Sequence, residues 1–272
     1  MEVVKLTGVI GAELLDVDIS RDLSFEKISD IRQALLANKV IFFRDQALTP
    51  EQQIAFTEKF GEISSSPVYQ TLTTYPQIMA VVKEPTDKDV IGDTWHTDET
   101  YQSHPPMGSL LYARHVPEVG GDTLFADLYR AYDSLSEAMK QQLATLKAVH
   151  SNELLNAGAR NASRSTKLRE DIGDLESVHP VVRTHDETGR KLLFVNQPFT
   201  MRFDGMTKAE SLPLLQYLFA HSSKPENTCR FRWRQGSLAF WDNRCTMHYA
   251  INDYPGFRRE MHRITIQGSV PC

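Results

Sequence analysis

The stretch TWHTDETY, residues 94–101, sets an imidazole and a carboxylate two residues apart among β-branched and aromatic neighbours. In a strand, residues i and i+2 point to one face. His96 and Asp98 would therefore converge, with Thr97 turned away. Alone, the pair reads more readily as a hydrogen-bonded surface pair than as two ligands of a metal. With nine histidines in 272 residues, a His-x-Asp match arises easily by chance. A third ligand changes the balance, and His248, in WDNRCTMHYAINDY after the apolar run SLAFWD, is the best candidate. Two imidazoles and a carboxylate on one face suit non-haem Fe(II) and leave coordination positions open. His104, His115, His150, His179, His185, His221 and His262 are weaker candidates. His104 and His179 adjoin prolines, and His185 sits in the polar turn THDETG, where His185-x-Glu187 reads as a decoy.

Arg259 and Arg263 stand four apart in RREMHRITIQG. If this stretch is a strand, Arg259, Met261, Arg263 and Thr265 share one face and Arg258, Glu260, His262 and Ile264 the other. Two inward guanidinium groups are costly unless they meet anions. Arginine suits bidentate recognition of carboxylates or sulfonates. The alternative is an edge strand with both arginines solvated.

Such side chains need a rigid scaffold, and the rest of the chain reads as one. The apolar content is 41%, the charged content 24% and the net charge -5, ordinary for a globular protein and unfavourable for a nucleic-acid partner. No apolar run is long enough for a membrane span, the N-terminus lacks a signal-peptide core, and three cysteines without a CxxC pair fit a reduced, cytoplasmic protein. Helical spacing starts at Ser24 with Phe25, Ile28, Ile31 and Leu35 as the apolar stripe. Thr49-Pro50-Glu51-Gln52 and Thr207 with Glu210 are capping boxes, Gly61 is the expected stop of the first of these helices, and a further helix starts near Ser136. VIFFR at 40–44 reads as a short buried strand. Past residue 77, short β-rich runs alternate with turn signals, which predicts a mainly β protein of the jelly-roll kind with flanking helices. Residues 153–176 are polar and poor in strand formers: a surface insertion or a lid.

In this order, His96-x-Asp98, His248, Arg259 and Arg263 resemble the iron(II)/2-oxoglutarate dioxygenases of the taurine dioxygenase (TauD/TfdA) family. The likeness also runs through LTGVIGAEL, VIFFRDQALTPEQQIAFTEKFGE, VPEVGGDTLFADL, HPVVRTH and LFVNQPFT, and so spans most of the chain. It implies a single domain over 1–272 with a double-stranded β-helix (jelly roll). It also implies His96, Asp98 and His248 as Fe(II) ligands, and Arg259 and Thr123 as holders of the distal carboxylate of 2-oxoglutarate. Arg263 would hold the anion of the primary substrate, with Tyr69 and Phe199 as aromatic walls. Ser66 stands where the taurine enzyme's pattern has a histidine, and Gly92 where it has an asparagine, which points away from taurine towards a bulkier or less polar anion. The implied reaction is O2-dependent hydroxylation of a small anionic substrate (a sulfonate, sulfate ester, aryloxyalkanoate or other carboxylate), with release of succinate and CO2. Asp98 argues for hydroxylation over halogenation. Homo-oligomerisation is left open. Two competing readings are a zinc hydrolase using the same three ligands, for which Arg259 and Thr123 would be superfluous, and a jelly roll that binds 2-oxoglutarate without turnover.

Overall fold

The computed structural model describes residues 1–159, 165–169 and 172–272. Its main sheet has the strand order Glu2–Lys5, Ala12–Leu15, Val40–Phe43, Leu238–Asp242, Gly108–His115, Arg259–Ile266 and Ile63–Ser64, with Met79–Lys83 also paired to Arg259–Ile266. A three-stranded sheet, Thr228–Phe231, Thr123–Asp127 and Thr246–Ala250, faces it. The architecture is the expected jelly roll.

The apolar runs follow from double burial. Val40 and Phe42 point between the sheets, where Phe42 stacks on Phe231 at 3.9 Å and meets Phe125 edge-on. Ile41 and Phe43 point outwards, under the helices Phe25–Asn38 and Pro50–Glu58. A strand covered on both faces has no reason to alternate apolar with polar residues. Each buried phenylalanine contributes about 1.5–3 kcal/mol, so these contacts hold the sheets in a fixed register behind the site.

Both capping boxes form: Thr49 with Gln52 and Thr207 with Glu210. Ser24 and Ser136 cap Phe25–Asn38 and Glu137–Leu143. Two local expectations change. Phe25 is 90% exposed, because it lies at the first helical position, off the stripe that buries Ile31 and Leu35. The helix from Pro50 ends at Glu58, ahead of Gly61. Within 153–176, residues 160–164 and 170–171 lie outside the described residues. Helix Glu153–Ala159 opens the segment, and its Leu155, Leu168, Ile172 and Leu175 pack against Val68, Tyr69, Met79, Tyr101 and Phe199. No helix among the described residues is long and apolar enough to cross a membrane.

Candidate metal centre and its two cavities

TWHTDETY does not form the expected strand. His96 makes one isolated antiparallel bridge with His248, and the chain then turns through Thr97–Tyr101. The bridge is reciprocal: His96 N–H donates to His248 O (3.0 Å) and His248 N–H to His96 O (2.8 Å). Directly paired residues project to the same face, and their rings lie 4.1 Å apart. Asp98 joins them from the turn. Its N–H donates to Asn243 Oδ1 (2.9 Å), while Asn243 Nδ2 donates to the carbonyls of Asp98 and Pro106 (3.1 Å each). Thr97 turns away and donates to Thr246 O.

The three potential donor atoms lie within 4.8 Å of one another. Asp98 Oδ1 is 3.6 Å from His96 Nε2 and 3.7 Å from His248 Nε2, too long for hydrogen bonds. His96 Nδ1 sits 2.7 Å from Thr94 O, a carbonyl that can only accept, so Nδ1 carries a proton and Nε2 is the nitrogen turned to the carboxylate. Burial holds His248 well below the usual imidazole range, in its neutral form. Burial pushes the Asp98 carboxyl up, but Arg263, His248 and His96 overcome this and hold it far below the usual carboxylate range. Arg263 meets the other carboxylate oxygen, Oδ2, at 2.8 Å, and Ser109 Oγ donates to it at 3.3 Å. Two imidazole nitrogens thus converge on one ionised carboxylate oxygen without bonding to it, an arrangement that a cation among them would satisfy. The donor set fits a divalent metal, and the Thr94 carbonyl behind His96 is the kind of outer partner that fixes a ligating ring.

Two cavities meet at this centre. The wider, of about 510 Å³, is walled by Tyr69, Tyr101, Leu154, Leu155, Phe199 and Arg263 among others. The narrower runs between the sheets past Thr123, Phe125 and Trp241 to Arg259. Strand Arg259–Ile266 buries both arginines on its inner face, so the solvated-edge alternative does not hold. Burial lowers the Arg259 pKa, and no carboxylate among the described residues forms an ion pair with it. Thr123 Oγ1 accepts the Trp233 Nε1–H at 2.9 Å.

Ser66 and Gly92 behave differently from expectation. Ser66 does not line the wider cavity; its hydroxyl bonds to Glu99 and accepts the N–H groups of Val68 and Tyr69. Gly92 lines the cavity but leaves no spare room. Its φ is +85°, and an added Cβ would stand 2.8 Å from His96 Cε1, so the His96 ring fills the space that a side chain would need.

Glu99 and Asn243 were missed by the sequence reading. Glu99 is buried in the wall of the wider cavity at φ +51°, tied to Ser66 and Gln102. Its position next to Asp98 was the available signal. Asn243 lay inside the motif quoted for His248. His185 is not in an exposed turn but buried, with Nε2 3.0 Å from Asp242 Oδ2. With Asp242 and Cys245 it forms a second group of metal-ligating types.

The family described as taurine catabolism dioxygenase TauD, TfdA family matches residues 2–265. The chain is 37% identical over 272 residues to an alkylsulfatase of Acinetobacter baylyi, covering 98% of this chain and 84% of that protein. It is 34% identical to an alpha-ketoglutarate-dependent sulfate ester dioxygenase of Pseudomonas putida, covering 100% of this chain and 91% of the relative. A crystal structure of AAD-2 in complex with Mn(II) and N-oxalylglycine superposes with a TM-score of 0.85 at 26% identity, covering 100% of this chain and 99% of that one.

Proposed function

This chain belongs to the TauD, TfdA family and is an alpha-ketoglutarate-dependent dioxygenase, and we propose from that premise how its own residues serve the reaction. His96, Asp98 and His248 hold Fe(II). Arg259 and Thr123 receive the distal carboxylate of 2-oxoglutarate in the narrower cavity. The primary substrate, an organic sulfate ester or sulfonate in the first instance, occupies the wider one. The observation that carries this reading is the opening of one buried imidazole–carboxylate centre onto two cavities, each with a buried arginine.

When bound, the iron supplies the redox chemistry that couples dioxygen and 2-oxoglutarate to substrate hydroxylation, with succinate and CO2 as the other products. The chain's residues position and desolvate the reactants. Asp98 is held ionised, so the centre carries one negative charge against a divalent ion, and the net positive site attracts a dianionic co-substrate. Arg263, bound to Asp98 Oδ2, keeps Oδ1 turned towards the two imidazoles, and its Nε has no hydrogen-bond partner among the described residues. Arg263 also lines the wider cavity, where its charge receives a substrate anion. Tyr69, Phe199 and Leu155 exclude water around the carbon to be oxidised. Hydroxylation of a carbon bearing a sulfate oxygen gives an unstable adduct that collapses to an aldehyde or ketone and free sulfate.

The test is substrate-linked succinate formation by Fe(II)-reconstituted protein across alkyl sulfates, alkylsulfonates and aryloxyalkanoates. Succinate should form in step with oxygen uptake for at least one class. Substrate cleavage under strict anoxia with Zn(II) alone would overturn the reading in favour of hydrolysis.

A further inference from the structure

Lys83 is buried, at 4% exposure, and its ammonium has no hydrogen-bond acceptor among the described residues. It sits directly across the ladder from Arg259, in the antiparallel pairing of Met79–Lys83 with Arg259–Ile266. Paired residues put their side chains on one face, about 5 Å apart at Cβ, and like charges in that position destabilise a sheet. Lys83 and Arg259 also line one small pocket together with Tyr254, over whose ring the Lys83 ammonium lies at 4.7 Å, and this pocket adjoins the narrower cavity at Val81, Ile91, Ala250 and Arg259. Arg259 Nε is likewise buried without a hydrogen-bond partner among the described residues.

Among the described residues no carboxylate pairs directly with either cation, although Asp122 acts on Arg259 and Asp87 on Lys83 from a distance. Asp122, near Arg259, is engaged by Arg230 at 2.6 Å. Asp87, near Lys83, is bound by the N–H groups of Glu84 and Ser165. Neither acid makes an ion pair with Lys83 or Arg259. An aromatic face offsets a buried ammonium only in part. Two buried, facing cations with free donors call for an anion between them.

We propose that Lys83 is a second cationic anchor for the distal carboxylate of 2-oxoglutarate, acting with Arg259. The proposal rests on the 2-oxoglutarate dependence of the preceding section and adds a residue to it. It carries a distinctive corollary: Lys83 costs the free protein stability and returns it on binding.

The experiment uses Mn(II)-loaded protein, which binds without turning over. Wild type, Lys83→Met and Lys83→Arg are titrated calorimetrically with 2-oxoglutarate and with 2-oxobutyrate, which lacks the distal carboxylate, and each is melted with and without ligand. Lys83→Met should weaken 2-oxoglutarate binding about tenfold or more, the loss of one charge-assisted contact. It should leave 2-oxobutyrate binding unchanged and melt higher than wild type without ligand. Lys83→Arg should restore most of the 2-oxoglutarate affinity. Unchanged 2-oxoglutarate affinity in Lys83→Met would overturn the proposal. So would a lower melting temperature with equal losses for both keto acids, the signature of a packing role against Tyr254. Failure of the wild type to bind 2-oxoglutarate would sink the underlying reading instead.

Discussion

Two buried groups in this protein share the same chemistry on paper. His96, Asp98 and His248 form one; His185, Asp242 and Cys245 form the other, and in both the ligand atoms lie within 4.8 Å of one another. They differ in what is already spoken for. Asp242 takes Arg244 Nε on Oδ1 at 2.8 Å, and on Oδ2 it takes Arg244 Nη2 at 2.7 Å and His185 Nε2 at 3.0 Å. His185 Nδ1 accepts the N–H groups of Glu187 and Thr188, so Nε2 must be the protonated nitrogen and no lone pair is left. Burial pushes the Cys245 thiol well above its usual range. This group is a closed ion-pair network. The first keeps Asp98 Oδ1 and two imidazole nitrogens unclaimed and opens onto cavities. Residue types and proximity are therefore insufficient to make a metal site; unspent lone pairs and access decide.

The contrast can be broken from either side. Asp98→Ala should lose the bound metal and reduce succinate formation to that of metal-free protein, as read by metal analysis and oxygen uptake. Arg244→Met should keep one metal per chain but lose about 3–5 kcal/mol of stability in urea melts, because it strands buried Asp242. The pH dependence follows. Burial pushes the Asp242 carboxyl up, but its bonds to Arg244 and His185 outweigh this and hold it far below the usual carboxylate range. A depressed folded pKa contributes stability above the unfolded value of about 4 and loses it as pH falls towards the folded value. The gap between wild type and Arg244→Met should be widest above that pH and narrow in acid; a gap that widens in acid would refute the assignment.

Smaller changes sharpen the comparison. Asn243→Ala removes the clamp on both backbone groups of Asp98 and should weaken metal affinity about 10–100-fold, as outer-shell losses do, measured by competition with a chelator. Gly92→Ala forces a left-handed alanine, costing about 1–2 kcal/mol, and pushes on His96. It should lower metal affinity modestly while leaving the His185 network intact, visible as a small drop in melting temperature that excess metal partly reverses.

Much of the scaffold was legible because its signals are local. Thr49–Gln52 and Thr207–Glu210 satisfy helix-end donors with their own side chains, and VIFF is apolar throughout because both of its faces are covered. Arg259 and Arg263 could be assigned to one face because strand periodicity needs no distant information. The likeness to a known family supplied the candidate roles; the chain's own residues supplied the His-x-Asp pair, His248 as the third candidate and the shared face of the two arginines.

What the amino-acid order determined, then, was which elements form and which side chains each can present. What only the tertiary structure decided was which of those side chains remain unpaired when the sheets close. His96 and His248 are 152 residues apart in the chain and meet through a single reciprocal bridge, Asp98 arrives from a turn held by Asn243, and Lys83 faces Arg259 because of a strand register. The physical reason is that hydrogen bonds and ion pairs are exclusive. Whether a carboxylate is a ligand or a salt-bridge partner depends on which distant donor reaches it first, and no local pattern records that.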